Sequence, residues 1–478
     1  MTVCSGGEMV QRDIFAVIIL IACSLFSGCL MRSLPFQPLS GTEGLLSVYL
    51  DPLQQDAEGL VFEITRVAAV SEDGTHHPLV PAITGFPVQD RNRQRLLAFG
   101  NVPAGRYQGI ACTVQKAVLK RGDGSAELLT AEAPATAAVT FDLAPRTAAM
   151  VSLNLVYPDS VRTGFAFDPV FSAMVPDRPL TGLTGYVANA GDGSLTLFDK
   201  KRMQVAGVLA TGSRPVSIVL DQGRKRGYVA DAGEDLVEVI DLAEGRIINK
   251  VRLNTGDVPG EPALTPDGGI LIIPNGGADS VTFLDTRTLL ELARIPVAQG
   301  PRSVLLDRTG QRAYVFSPTS NMISVIDVPY RSLAVSAAVE AEPVRGQFNR
   351  SGDRLYAICA RSPYLLVLDP ASLAVITRQF IGMGMTAIKV DTRTDTLYLA
   401  MQYDPVLGVY DPFSLSRGAG IPLGGTAAAL AIDGDENNLY AVVPERRVVS
   451  VVNLVSRKII GEFDVGSGPL WVAMMGER

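Results

Sequence analysis

Between residues 45 and 178, apolar and polar positions alternate with the two-residue period of β-strands. Val151, Leu153 and Leu155, for example, are separated by polar residues, which is the pattern of a strand with one buried face. Clusters of Asp, Gly and Pro separate such runs, and the last run covers residues 165–174. The pattern predicts about six to eight strands, which we interpret as a β-sandwich domain.

A longer repeat begins after residue 180. Each unit contains an apolar strand, a short polar turn and a second apolar strand that ends in Asp or Asn. An anchor position in the first of these two strands, which is the second strand of the complete blade, marks the repeat at Tyr186, Tyr228, Leu271, Tyr314, Tyr356, Tyr398 and Tyr440. These positions are 42 or 43 residues apart, a period typical of the four-stranded blades of a β-propeller. Seven such blades account for residues 179–478.

The Asp and Asn residues that end these strands repeat with the same period. They are Asp199, Asp241, Asp285, Asp327, Asp369, Asp411 and Asn453. Each ends the third strand of its blade, away from the propeller axis, so the seven side chains cannot converge on one ion. We predict that they cap turns through side-chain hydrogen bonds.

The two ends of the repeat region complement each other. The first repeat starts directly with its second strand at Tyr186, and residues 468–474 form a first strand with no further unit after it. We expect this terminal strand to pair into the first blade and close the ring, which removes exposed strand edges. The predicted fold is therefore all-β, with an N-terminal β-sandwich followed by a seven-bladed β-propeller closed by the C-terminal strand.

The N-terminal segment has the character of a secretion signal. Residues 14–26 carry no charge, but they are too few to span a bilayer comfortably and fit the apolar region of a signal peptide. An uncleaved anchor helix or a plain secretory signal are the alternatives. Glu8 and Asp13 weaken the positive charge that precedes the apolar segment, so a start at Met9 gives a more ordinary signal.

The segment Phe26-Ser27-Gly28-Cys29 resembles the lipobox of bacterial lipoproteins. The resemblance implies that residues 1–28 are removed, that Cys29 carries the lipid, and that residues 29–44 form a tether. No acidic residue directly follows the cysteine. By analogy with the same family, this favours the outer membrane as the location.

The repeat GYVANAGDGSLTLFD at residues 185–199 resembles the YVTN/YncE-type propellers of bacterial and archaeal envelopes. The segment around Pro103-Ala104-Gly105 is similar to the lipoprotein β-sandwich domains of unknown function in bacterial surface proteins. These resemblances imply a seven-bladed propeller outside the cytoplasm, and they imply no particular reaction.

Composition excludes several classes of function. The chain has 42 Lys and Arg against 49 Asp and Glu, a net charge of −7, which argues against binding to nucleic acid. Its only histidines are His76 and His77, so the propeller lacks a Ser-His or Cys-His pair and the usual ligands of haem and zinc. We expect no cofactor and no metal site. For Cys112 and Cys359 we favour buried free thiols over a disulfide.

The candidate binding residues are those that open the innermost strand of each blade, because these positions converge at the mouth of the channel. They are Ser217, Glu261, Ser303, Arg345, Ala387, Ala429 and Trp471. Arg302 adds a second cation. Our hypothesis is that Glu261, Arg302, Arg345 and Trp471 line a polar pocket for a ligand or a partner loop. The alternative is a solvated channel with a Glu–Arg pair and a packed Trp.

The sequence favours a lipid-anchored envelope protein whose propeller is a non-catalytic binding or scaffold module for a protein or glycan partner. The loops 189–194, 231–235 and 274–280 would form the binding face, and the sandwich would space it from the membrane. The alternative functions are a carboxylate-based hydrolase or lyase of the envelope, or an accessory subunit of a redox complex that borrows its cofactor.

Overall fold

A computed structural model describes residues 39–83, 85–86, 92–121, 124–162, 165–177 and 184–477 of the protein. The predicted signal peptide, Cys29 and most of the predicted tether lie outside these residues. None of the helices in the described ranges is long and apolar enough to cross a membrane. Residues 38–478 form one compact unit, and the described residues fall within it.

The N-terminal part is a β-sandwich. Its strands are β1 (Glu43–Leu50), β2 (Leu60–Ser71), β3 (His76–Pro78), β4 (Val80–Pro81), β5 (Gly85–Phe86), β6 (Arg95–Pro103), β7 (Gly105–Arg121), β8 (Gly124–Thr130), β9 (Ala135–Leu143), β10 (Ala148–Leu155), β11 (Val161–Arg162), β12 (Ala166–Phe167) and β13 (Phe171–Met174). Three short helical turns complete the helices of the described chain: Gln55–Ala57, Tyr157–Ser160 and Pro444–Arg446.

Two sheets face each other in the sandwich. One has the strand order β13-β10-β1-β6-β4, with β1 and β10 parallel. The other has the order β11-β12-β8-β7-β2-β3, with β5 paired to β2 and β9 to β7. Leu46 and Val151 of the first sheet share a buried core with Phe62 and Ile110 of the second. The predicted sandwich is therefore confirmed.

The prediction of a single strand over residues 165–174 is wrong. The structure divides it into β12 and β13, which belong to different sheets. Pro169 lies between them, and a proline cannot donate a hydrogen bond to a neighbouring strand. The chain therefore leaves one sheet before this proline and joins the other after it.

The repeat region forms the predicted propeller. Its strands are β14 (Thr184–Asn189), β15 (Ser194–Asp199), β16 (Gln204–Ala210), β17 (Pro215–Asp221), β18 (Arg226–Asp231), β19 (Leu236–Asp241), β20 (Arg246–Arg252), β21 (Ala263–Leu264), β22 (Ile270–Asn275), β23 (Ser280–Asp285), β24 (Glu291–Pro296), β25 (Ser303–Leu306), β26 (Arg312–Ser317), β27 (Met322–Asp327), β28 (Ser332–Ala338), β29 (Pro343–Phe348), β30 (Leu355–Cys359), β31 (Tyr364–Leu368), β32 (Val375–Phe380), β33 (Met385–Val390), β34 (Leu397–Met401), β35 (Asp404–Tyr410), β36 (Ile421–Pro422), β37 (Ala429–Ile432), β38 (Asn438–Val443), β39 (Val448–Asn453), β40 (Lys458–Asp464) and β41 (Pro469–Met474).

From residue 184 to residue 477 these strands make seven four-stranded antiparallel sheets. Blade 1 consists of β41, β14, β15 and β16, from the axis outward, and blades 2 to 7 take four consecutive strands each from β17 to β40. The C-terminal strand β41 pairs antiparallel with β14, with Gly185 opposite Met474 and Val187 opposite Val472. The predicted closure of the ring by the last strand is confirmed.

The periodic Asp residues cap turns, as the sequence predicts. One carboxylate oxygen of Asp241 accepts hydrogen bonds from the backbone N–H groups of Ala243 and Glu244, at 2.9 and 3.0 Å. Asp285 and Asp411 do the same in their own blades. The side chains of Asp199, Asp327, Asp369 and Asn453 also accept hydrogen bonds from backbone N–H groups of the turns that follow them. All seven residues therefore belong to the frame of the propeller.

The sandwich packs against the outer side of blades 1 and 7. Leu45, Tyr49 and Leu96 of the sandwich share a buried core with Val205 of blade 1 and Phe463 of blade 7. The outer strand β16 is consequently largely buried, whereas β20 and β28, at the same place in their blades, are largely exposed. The sandwich thus bridges blade 1, in which the last strand closes the ring, and its neighbour blade 7.

Candidate functional site

The first residues of the inner strands meet around the channel axis. Ser217 and Ser303 link neighbouring blades there, because their hydroxyls donate hydrogen bonds to the backbone oxygens of Gly260 at 3.3 Å and Val344 at 2.8 Å. Both serines are buried. Their hydroxyls are therefore used in contacts between the inner strands.

Glu261 and Arg345 form an ion pair across the channel. The guanidinium of Arg345 donates from Nε to Oε2 of Glu261 at 2.7 Å and from Nη2 to Oε1 at 2.6 Å. Its Nη1 donates to the backbone oxygens of Thr386 at 3.1 Å and Ala428 at 2.8 Å. These partners come from blades 3, 6 and 7, whereas Arg345 belongs to blade 5. One side chain therefore connects four blades.

Trp471 completes this layer from blade 1. The guanidinium carbon of Arg345 lies 4.9 Å from the centroid of the indole ring, a cation–π arrangement. The indole N–H donates to the backbone oxygen of Ile218 at 3.1 Å. The predicted Glu–Arg pair and packed Trp are thus present together, and their polar groups are used within the protein.

Two cavities lie on either side of this layer. The larger, of about 800 Å³, opens where the inner strands begin, and we call it the mouth cavity. The smaller, of about 310 Å³, lies along the inner strands beyond the ion pair. Glu261 and Arg345 line both, but Trp471 lines only the smaller one, so it is not part of the mouth.

The mouth cavity contains cationic groups that the ion pair does not neutralise. Arg302 has a side chain that is 52% exposed, and its Nε lies 3.8 Å from Glu261, whose oxygens already accept from Arg345. Arg214 is also exposed and lines the same cavity. Enclosure by the cavity walls lowers the pKa of Arg302, Glu261 opposes this effect, and the neighbouring Arg345 adds to it.

Sequence reasoning missed several residues of the mouth cavity. Arg214, Thr386, Gln402 and Glu445 line it and were not expected there. Of the expected residues, Glu261, Arg302 and Arg345 line the cavity, and Ser217, Ser303 and Trp471 do not. Arg214 directly precedes the proline that opens its inner strand, so its place in the repeat could have identified it. Gln402 and Glu445 lie in hairpins between the second and third strands, whose reach over the mouth cannot be derived from the repeat alone.

The residues capable of other chemistry lie elsewhere. In the described ranges no group of three or more His, Cys, Asp and Glu side chains is arranged to hold a metal ion. His77 lies in the sandwich, 3.2 Å from the hydroxyl of Ser71. Cys112 and Cys359 are free and buried, and burial raises the pKa of each thiol to about 12.

Comparisons with known proteins support the propeller fold. No protein-family model matches the chain, and no curated protein matches it. A protein of unknown function from Desulfotomaculum acetoxidans has a similar structure, with 13% identity over 62% of this chain and 99% of that chain, and a TM-score of 0.54. A candidate 6-phosphogluconolactonase from Bacteroides fragilis matches with 13% identity over 63% and 99%, and a TM-score of 0.53.

A third similar structure is the dihydro-haem d1 dehydrogenase NirN, with 14% identity over 62% of this chain and 77% of that chain, and a TM-score of 0.50. At these identities the likeness shows the fold alone. The proteins that share it are described by different activities or by none, so the function has to be argued from the site.

Proposed function

We propose that the protein is a lipid-anchored envelope protein of the YVTN/YncE type, and that its propeller is a non-catalytic module that binds an anionic segment of a protein or glycan partner in the mouth cavity. The lipid would be attached to Cys29, and the expected location is the outer membrane. The lipobox resemblance of residues 26–29 supports the anchor. The charges of the mouth cavity support the binding role.

The observation that carries this proposal is the imbalance of charge in the mouth cavity. Arg345 and Glu261 neutralise each other at hydrogen-bond distance. Arg214 and Arg302 remain, and the other carboxylate that lines the cavity is Glu445. Arginine guanidinium groups bind carboxylates and other planar anions well. An anionic group entering the mouth would therefore gain two cationic contacts without breaking the Arg345–Glu261 pair.

The same geometry argues against a carboxylate-based enzyme. Glu261 has its two oxygens engaged by Arg345, and its side chain is 9% exposed. A carboxylate with both oxygens hydrogen-bonded to one guanidinium is poorly placed to exchange a proton with a substrate. Glu445 is exposed, and Glu261, the other carboxylate in the described lining of the mouth cavity, is already hydrogen-bonded to Arg345. The site thus has the groups for binding an anion rather than for hydrolysis.

Calorimetric titration tests the binding role with two probes, a short oligogalacturonate and a glutamate-rich peptide. The Arg214→Ala/Arg302→Ala variant should lose about tenfold or more in affinity for the probe that binds, because each lost charged hydrogen bond contributes about 1.5–3 kcal/mol. Affinity should also fall with added salt. Arg287→Ala, at an exposed arginine in a turn on the opposite face, is the matched control.

Two outcomes would contradict the proposal: neither probe binds the wild-type protein, or the double variant binds as tightly as the control. The anchor is tested separately by labelling cells with a radioactive fatty acid. The wild-type protein should take up the label, and Cys29→Ala should not.

A further inference from the structure

An exposed apolar patch lies on the face that contains the mouth cavity. It consists of Tyr364, Phe380, Met383 and Tyr403, whose residues are 36%, 66%, 53% and 83% exposed. We call these four residues the aromatic patch. Tyr364 and Phe380 lie at the mouth-side ends of two strands of blade 5, and Met383 lies in the loop from blade 5 to blade 6. Tyr403 lies in the hairpin between the second and third strands of blade 6. Exposed apolar groups that lie together commonly mark an interaction site.

The backbone of blades 5 and 6 holds the aromatic patch together. Tyr364 and Phe380 are opposite each other on neighbouring strands, with ring centroids 5.9 Å apart. The loop that follows Phe380 is fixed at both ends, because Ile381 donates to the backbone oxygen of Pro363 at 2.9 Å and Gly384 accepts from the N–H of Gln402 at 2.7 Å. The backbone that carries the aromatic patch is therefore fixed, and the rings of Tyr364 and Phe380 are in contact.

The aromatic patch is continuous with the mouth cavity. Met385, two residues after Met383, lines the cavity, and so does Gln402, which directly precedes Tyr403. The patch thus begins where the cavity wall ends. A ligand that reaches Arg302 from the side of blades 5 and 6 would have to cross the patch.

The corresponding hairpins of other blades show that packing does not require exposed rings here. In blade 3, Asp279 accepts a hydrogen bond from the N–H of Gly300 at 2.8 Å, and in blade 4, Asn321 accepts one from Glu342 at 2.9 Å. These polar side chains anchor the loop that leads to the next blade. In blade 5 the equivalent N–H group, that of Gly384, donates to the backbone oxygen of Ala360 at 3.2 Å, so the exposed rings have no role in this contact.

We propose that the aromatic patch and Arg302 together form a docking surface for an extended segment of a partner protein, with apolar side chains on the patch and an acidic side chain directed toward Arg302. This inference rests on the proposed function and names its partner as a protein. Tyr, Phe, Met and Arg are the residue types enriched at protein interfaces. Phe380 and Met383 offer no hydrogen bonds to sugar hydroxyls, so a glycan fits this surface less well.

Selection from a phage-displayed library of random dodecapeptides tests the inference, with the chain from residue 30 as the target. This chain contains the whole compact unit of residues 38–478. Enriched peptides should combine an acidic residue with aromatic or aliphatic residues. Synthetic copies are then titrated against variants by fluorescence anisotropy. Phe380→Ser/Tyr403→Ser should bind about tenfold or more weakly, as expected when a cluster of interface anchors is removed.

The chain offers closely matched controls on the opposite face of the propeller. Tyr330 is 83% exposed, the same fraction as Tyr403, and Phe413 is 94% exposed. Tyr330→Ser/Phe413→Ser should keep wild-type affinity within twofold. Tyr403→Phe retains the ring and should recover most of the affinity that Tyr403→Ser loses. Since all these side chains are exposed, circular dichroism should show native spectra for every variant.

Three results would overturn the inference, and they differ from one another. If Arg214→Ala/Arg302→Ala abolishes peptide binding but the patch variant binds normally, the mouth is a binding site and the aromatic patch is not. If no peptide is enriched while oligogalacturonate binds and depends on Tyr403, the partner is a glycan. If neither probe binds at the mouth, the proposed function fails together with the inference.

Discussion

Arg345 illustrates how one side chain can stabilise the centre of a propeller. Its guanidinium contacts Glu261, two backbone carbonyl groups and the ring of Trp471. The side chains of Arg345 and Glu261 are 13% and 9% exposed. A buried ion pair loses much of its water, so it is stable only when the partners satisfy each other's hydrogen bonds. The sequence could identify these residues from their place in the repeat, but not the four-blade contact that Arg345 makes.

Removing the charge of Arg345 should destabilise the whole propeller. We expect Arg345→Met to lower the free energy of unfolding by about 3–5 kcal/mol, because Glu261 then stays buried, loses both hydrogen bonds from Arg345 and keeps only the longer contact with Arg302. Urea titration followed by fluorescence measures this directly, since Trp471 is the only tryptophan of the chain. Arg302→Met is the control, and it should cost at most about 1 kcal/mol because Arg302 is half exposed. Equal losses of unfolding free energy in the two variants would contradict the central stabilising role of Arg345.

Asp231 and Glu238 form a second unusual pair, inside blade 2. In blades 1 and 3 the same two positions hold Asn and Thr, and the Asn side chain of each, Asn189 or Asn275, donates to the Thr hydroxyl at 2.9 Å. Blade 2 places two carboxyl groups there, and both residues are fully buried. Burial, and then the negative charge of Glu238, raise the pKa of Asp231 well above its usual range.

The charged groups around this pair are Glu234 and Lys250. Lys250 Nζ lies 2.6 Å from Glu238 and lowers the pKa of Glu238, against the larger effect of burial, which raises it. Glu234 raises the pKa of both carboxyl groups. The folded protein therefore binds a proton at Asp231 more tightly than the unfolded chain does.

Below the pKa of an unfolded aspartate, about 3.9, this proton makes its full contribution to the free energy of unfolding. That contribution is lost as the pH rises through the pKa of Asp231 in the folded protein. We expect Asp231→Asn to raise the free energy of unfolding at pH 8 by about 1–3 kcal/mol, with little effect at pH 4. Denaturant titrations over this pH range measure the difference.

Asp285→Asn is the matched control for this measurement. Hydrogen bonds from Thr288 hold the pKa of Asp285 below its usual range, so its contribution is present at neutral pH and is lost as the pH falls. The two variants should therefore change the pH profile in opposite directions. A profile for Asp231→Asn that parallels the wild type would contradict the assignment of this proton to Asp231.

At the scale of the element, the repeat made the strands of the propeller predictable. The 42- or 43-residue period fixed the number of blades, and the unpaired last strand indicated the closure with β14. The sandwich was predicted less well, since its strands have no repeat. The division between β12 and β13 at Pro169 shows the difficulty, because both halves have strand-like residues and only the choice of sheet separates them.

The burial of β1 and β16 also exceeds what alternation predicts. Strand β1 is buried on both faces, with Leu46 and Val48 in the sandwich core and Leu45 and Tyr49 against the propeller. A strand that is apolar on both sides indicates two covered faces. The sequence of β1 contains this indication, but nothing in the sequence says which surface covers the second face.

At the scale of the whole molecule, the sandwich provides a second connection that holds the ring of blades closed. Arg95 Nε lies 2.8 Å from Asp464 of blade 7, and Gln94 accepts a hydrogen bond from the N–H of Val205 of blade 1 at 2.8 Å. Both contacts cross from the sandwich to the propeller. Blades 1 and 7 are therefore held together by their own packing and by a domain that contacts both.

The residue that tests this closure is Tyr49, which is fully buried at the interface. Burial, and then the nearby charge of Asp464, raise the pKa of its hydroxyl. Tyr49→Ala removes a large buried ring, and we expect it to lower the free energy of unfolding reported by Trp471 by about 3 kcal/mol. Trp471 lies in the propeller. The unfolding transition that its fluorescence reports should therefore shift to lower denaturant concentration, even though the substitution is in the sandwich.

Tyr107→Ala provides the comparison that separates this coupling from damage to the sandwich alone. Tyr107 is also buried, but it packs in the core of the sandwich and donates to the backbone oxygen of Pro103. If the sandwich clamps blades 1 and 7, the Trp471 transition should shift more in Tyr49→Ala than in Tyr107→Ala. An equal shift in both variants, or no shift in Tyr49→Ala, would mean that the propeller closes through β41 without help from the sandwich.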